Sequence, residues 1–190
     1  MLRTTSLILV AAALAGAAAM QTKSTEDSST VPRYTGQNRL MRPQNYREWI
    51  YLSSGLGMAY SPNPNTPPAF TNVFVTPTAY HAFVANGQWP DETMFVLEER
   101  EASSKGSINK NGHFQSVLQG IAAAVKDESR FPEKWAYFNF SEGQESSPAN
   151  PKEACWQCHS QHGAVDNTFV QFYPTLKPIA VNFGTYKPKE

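Results

Sequence analysis

Phe114-Gln115-Ser116-Val117-Leu118-Gln119-Gly120-Ile121-Ala122-Ala123-Ala124-Val125 is the stretch on which the fold turns, because it carries two periods at once. Phe114, Val117, Leu118, Ile121 and Val125 recur at the intervals of an amphipathic helix. Gly120 inside the run and Gly112 just before it suit a strand about as well, since glycine in a helix interior costs about 1 kcal/mol relative to alanine. On the residues alone both readings stand.

The flanking segments carry clearer signals. Upstream, Thr93 to Glu99 reads as a strand, with Thr93, Phe95 and Leu97 on one face and Met94 and Val96 on the other. Before it, Thr76 caps and Pro77 starts a helix with Tyr80, Phe83 and Val84 on one side, stopped by Gly87 after Asn86. Phe70 to Val75, rich in aromatic and β-branched residues, reads as a strand. Tyr46, Trp49 and Ile50 follow Asn45, a fair N-cap, and predict a short helix over Tyr46 to Leu52. Downstream, Trp135 to Phe140 has aromatics on both faces, as a strand buried on both sides would. Ser61 to Pro68 and Ser141 to Pro151 read as long loops.

Near the C-terminus the chain runs Cys155-Trp156-Gln157-Cys158-His159, two thiols three apart followed at once by an imidazole. This is the attachment pattern of a c-type haem, in which both cysteines form thioethers to the porphyrin and the histidine reaches the iron. A thioredoxin-like dithiol would need a βαβ context, which the surrounding residues do not provide. A structural zinc site would need four ligands, and only His159 and His162 lie near the cysteines. A disulfide within one helical turn would constrain almost nothing. Asn150 and Pro151 are expected to begin the helix that carries this motif and ends near Gly163, with Asp166 capping one more short helix through Tyr173. With a helix first, strands in the middle and a haem-bearing helix last, the fold class is α+β.

The opposite end carries an address. Arg3, an apolar run from Leu7 to Met20 and the small residues Ala17 to Ala19 follow the order of a secretory signal peptide. As a helix the run would span about 21 Å, short of a bilayer core of roughly 30 Å. The expected organisation is a signal peptide over 1–19, a flexible Ser/Thr-rich leader over 20–40 and one domain over 41–190, in a periplasmic or secreted protein with no membrane anchor after cleavage. Removing Arg3 from 16 basic residues leaves 15 against 16 acidic ones, a balance that gives no field for nucleic acid.

No methionine follows Cys158. Met41, Met58 and Met94 lie upstream and read as core fillers, and His81 and His113 as surface residues, so the default is an open sixth position on the iron. Such a haem binds small ligands, and an apolar pocket favours neutral diatomics.

Taken together, the order of several short pieces resembles the cytochrome P-460 family, which includes the cytochromes c′-beta. The pieces are Asn45-Tyr46-Arg47-Glu48-Trp49, Thr76-Pro77-Thr78-Ala79-Tyr80, Trp89-Pro90-Asp91-Glu92-Thr93, Gly112-His113-Phe114, Val125-Lys126-Asp127, Arg130-Phe131, Trp135-Ala136-Tyr137-Phe138, Cys155 to His159, Asp166, Phe169 and Phe172-Tyr173-Pro174. The resemblance implies a small antiparallel sheet with flanking helices, a homodimer, His159 as proximal iron ligand, and a strand at Phe114 to Val125. It also implies a choice of functions. The family's enzymes oxidise hydroxylamine with a haem cross-linked to a lysine, whereas its cytochrome c′-beta members lack the cross-link and resemble gas-binding proteins. Counted from Asp91-Glu92-Thr93, the cross-linking lysine falls at Leu97; counted from Val125-Lys126-Asp127, a pocket carboxylate falls at Ala122. Neither can do that chemistry. Glu98 and Glu99 adjoin the first position, and Lys105 and Lys110 are the nearest amines.

The function expected is therefore a monohaem c-type cytochrome that binds nitric oxide or another small nitrogenous or diatomic ligand beside Leu97 and Phe95. A hydroxylamine-oxidising enzyme and a simple electron carrier with Met58 or Met94 on iron are the alternatives.

Overall fold

The computed structural model describes residues 30–58 and 67–189, so the expected signal peptide and most of the Ser61 to Pro68 loop lie outside the described residues. The strands are β1 (Tyr34–Thr35), β2 (Arg39–Met41), β3 (Ile50–Leu56), β4 (Ala69–Val75), β5 (Met94–Ser103), β6 (Phe114–Lys126), β7 (Trp135–Phe140) and β8 (Ser146–Ser147). The helices are α1 (Pro77–Asn86), α2 (Trp156–His162) and α3 (Lys177–Asn182). An antiparallel five-stranded sheet runs in the order β3-β4-β5-β6-β7, and β1, β2 and β8 form a second, three-stranded one. This is an α+β fold.

Phe114 to Val125 is strand, and its inner half shows the period of two that a sheet demands. Ile121, Ala123 and Val125 are buried on one face, while Ala122 and Ala124 turn to the other. The helical stripe has a physical origin. Gly120 pairs with Glu99, but Leu118 pairs with Arg100 and Gln115 with Ala102, so β6 holds an extra residue at each of two bulges. Phe114, Val117 and Leu118 belong to this bulged outer half and are exposed, so they share no core face with Ile121 and Val125.

Several expectations are corrected. The helix over Tyr46 to Leu52 is only a 3-10 turn at Tyr46–Glu48, because Trp49 is already extended and Ile50 onward pairs with β4. Ser53, Ser54 and Gly55 are poor helix formers, which removes the local competition to that pairing. The end of the expected leader is ordered, since Leu40 in β2 is fully buried beside Tyr46 and Trp49. The motif helix starts at Trp156 instead of Pro151, after a series of turns. Asp166 caps no helix: it and Asn167 take left-handed backbone angles, and only Val170–Phe172 forms a 3-10 turn. Helix α1 runs as expected, ending on Gly87 in the left-handed conformation at φ 71°. Among the described residues no helix is long and apolar enough to cross a membrane.

Each face of the main sheet has its own core. Phe95, Trp89, Phe83, Trp135, Tyr137, Tyr173 and Leu176 pack on one side, under α1, α3 and the segment after α2. Met94, Val96, Ile121, Val125 and Phe138 pack on the other, against Leu40, Tyr46 and Trp49.

Candidate haem site

Register across the sheet builds one wall of a cavity. Ser53, Val73, Leu97, Ala122 and Asn139 stand side by side across all five strands, because each is the cross-strand partner of the next. One row along, Phe95, Ala124 and Tyr137 do the same. Small alanines in β6 leave room where larger residues would fill it. The space is about 240 Å³, closed on its other side by Cys155, His159, Asn167 and Phe169 and near its ends by Met58, Phe172 and Tyr173. Its lining among the described residues includes no Lys, Arg, Asp or Glu.

Leu97 and Ala122, counted separately in the sequence, are thus direct cross-strand partners on the same wall. Phe95 lines the cavity as well. Met94 faces the opposite core, whereas Met58 borders the cavity. Glu98 is on the far face too, and Glu99, Lys105, Lys110, His81 and His113 do not line the space. Cys158 is half-buried on α2 but outside the lining.

His159 is held on three sides. Its Nδ1 lies 2.9 Å from the Asn167 carbonyl oxygen, and its ring packs 4.2 Å from that of Tyr137 and 4.4 Å from that of Phe169, centroid to centroid. Burial lowers its pKa, with the Asn167 carbonyl pulling the other way, so the neutral ring is favoured. With Nδ1–H donating to that carbonyl, Nε2 is the ring nitrogen with a lone pair for a metal. Asn150 Nδ2 donates to Cys155 Sγ at 3.4 Å, and both cysteines are free thiols. Burial raises the Tyr137 phenol far above its usual range, and its hydroxyl donates weakly to the same Asn167 carbonyl at 3.4 Å.

The carbonyl itself is placed by an unusual turn. Asp166 and Asn167 have φ of 43° and 60°, and Val165 and Thr168 bridge across them. Thr168 Oγ1 donates to Val165 O at 2.6 Å and accepts from Trp89 Nε1 at 2.9 Å. Lys126, at the end of β6, donates from Nζ to Asp166 Oδ2 at 2.9 Å and to the Trp89 carbonyl at 2.8 Å.

Sequence reasoning found the thiols, the imidazole and the two wall positions, but not Asn167, Tyr137 or Phe169 as neighbours of His159. The available signal for the first is Asp166-Asn167 itself, a pair of residue types that tolerates left-handed backbone.

An apolar cavity bordered by a thiol and by a half-buried imidazole oriented through Nδ1 fits a haem in the chemistry of its donors and in its lining. These donors have the chemistry that a cytochrome needs. The family model for Cytochrome P460 matches residues 43–170, and the chain belongs to that family, which implies a haem cofactor. No curated protein matches the chain.

Proposed function

We propose that this protein is a periplasmic monohaem c-type cytochrome that binds nitric oxide or another small neutral ligand. Cys155 and Cys158 would hold the haem as thioethers, and His159 would offer Nε2 to its iron. The haem, when bound, supplies an iron with one coordination position open to a ligand. The observation that carries the reading is the cross-strand pair Leu97 and Ala122 on the wall of a cavity whose lining, among the described residues, holds no Lys, Arg, Asp or Glu. That wall offers neither an amine to cross-link nor a carboxylate to take a proton, so hydroxylamine oxidation lacks its groups. An apolar wall excludes water and anions while admitting diatomics.

Periplasmic location rests on the signal-peptide order of residues 1–19. The same reading includes a homodimer, supported by the family resemblance and by exposed Phe114, Val117 and Leu118 on the outer half of β6, where no β7 residue pairs.

The test is an absorption spectrum of the purified ferrous protein before and after nitric oxide. A high-spin spectrum that changes on addition is expected. A six-coordinate low-spin spectrum before any ligand would overturn the open position. One observation favours a second reading: Met58 borders the cavity, so a low-spin spectrum that Met58→Leu abolishes would establish an electron carrier. A second peptide joined to the haem peptide in mass spectrometry would instead restore the cross-linked enzyme.

A further inference from the structure

Lys126 lies outside the cavity wall, yet it ties the wall strand to the turn that orients His159. Its side chain is 11 % exposed, and Nζ meets Asp166 Oδ2, the Trp89 carbonyl and, at 3.4 Å, Glu128 Oε1. Asp166 is directly followed by Asn167, whose carbonyl takes the His159 Nδ1 proton's hydrogen bond. Asp and Asn tolerate the left-handed region better than other side chains, but two in succession still carry a cost that their surroundings offset. The surroundings are Lys126 on one side and the Trp89–Thr168 hydrogen bond on the other.

We infer that Lys126, acting through its ion pair with Asp166, is a positioning residue that sets the strength of the Asn167–His159 hydrogen bond and hence how strongly His159 donates to the iron. The inference rests on the haem reading above. A stronger hydrogen bond at Nδ1 makes the ring more basic at Nε2, the general effect of outer-shell partners on a ligating histidine. Because Ala122 and Ala124 of the wall and Lys126 belong to one strand, the same backbone registers the pocket and the proximal side together.

The experiment uses the haem-loaded protein and resonance Raman of its ferrous state, reading the iron–histidine stretch. Lys126→Met removes a positive charge, and Asp166→Gly removes a negative one at a position where glycine takes positive φ without strain. Positioning requires both variants to move the band the same way, to lower frequency, with Lys126→Arg close to wild type. Affinity for nitric oxide is expected to change by up to about tenfold, the lower end for an outer-shell partner. Lys134→Met removes a like charge near Glu128 without touching Asp166, and should leave the band in place. Band shifts of opposite sign in Lys126→Met and Asp166→Gly, or an equal shift in Lys134→Met, would reduce Lys126 to a field effect and overturn the inference. An unmoved band in both variants overturns it as well. Asp166→Gly alters a side chain 35 % exposed, so it reads out even if Lys126→Met fails to fold. A wild type with no iron–histidine band would overturn the haem reading itself, a result distinct from an immobile band.

Discussion

Glu98 shows how one residue can serve the fold from the strand that serves the cavity. Its neighbour Leu97 faces the cavity, while Glu98 is turned to the other core, where Tyr46, Arg47 and Arg100 all donate to its carboxylate. Burial pushes its pKa up, but the hydrogen bonds from Arg100, Tyr46 and Arg47 outweigh that and hold it at about 2, against 4.5 ordinarily. A carboxylate depressed in the folded state stabilises above its unfolded pKa, and the gain is lost as pH falls through the folded value. Stability measured by denaturant should therefore drop between about pH 4.5 and about pH 2, and Glu98→Gln should flatten that drop. The same variant should cost about 2 kcal/mol at neutral pH. That is below the range for a wholly buried pair, since Arg47 remains 53 % exposed. At the haem, Cys155→Ala with Cys158→Ala should abolish covalent haem, seen as loss of haem from the denatured chain. His159→Ala should keep the haem but lose the iron–histidine band, and normal ligand binding in that variant would disprove the axial assignment.

At the scale of elements, the join between α2 and the following turn is a close approach of backbone to backbone. A Cβ on Gly163 would lie 2.7 Å from both the Asn167 carbonyl carbon and His159 O, and 2.8 Å from Thr168 N. All three are backbone atoms and cannot step aside. Gly163→Ala should cost about 1–3 kcal/mol and lower the melting temperature by several degrees, whereas Gly120→Ala, whose nearest neighbour is Glu99 Oε2 at 3.8 Å, should leave it unchanged or raised. The elements legible in the sequence were those with local punctuation or clean alternation: Pro77 and Gly87 bound α1, and β5 and β7 alternate or bury both faces. Strand β3 was hidden because Ser53-Ser54-Gly55 has no apolar alternation and its extended form comes from pairing with β4. The site divides along the same line. Thiols and an imidazole are side chains and can be read from letters, but the acceptor that orients His159 is a main-chain carbonyl, whose direction depends on two left-handed residues. The wall pair Leu97 and Ala122 could be counted in sequence, though their adjacency required the β5–β6 register.

For the whole molecule, two cores share one sheet and face different tasks. The far core contains Leu40, Tyr46, Val96 and Phe138 and includes neither His159 nor the cysteines. The overhanging half of β6 leaves Val117 65 % exposed, where a second copy is proposed to dock. Val117→Lys should leave the unfolding free energy of the isolated subunit within about 0.5 kcal/mol of the wild type. In sedimentation it should move the protein from dimer to monomer, and a wild type that sediments as a monomer would remove the dimer from the proposal. The strict alternation of β5 has a further, evolutionary meaning. Residues 95 and 97 face the cavity, Phe95 also packing in the core on that side, and residues 94, 96 and 98 face the opposite core, so the wall at 97 and the far core can vary separately. Substitution at positions 97 and 122 would therefore reshape the cavity wall while the core on the opposite face of the sheet keeps its own residues.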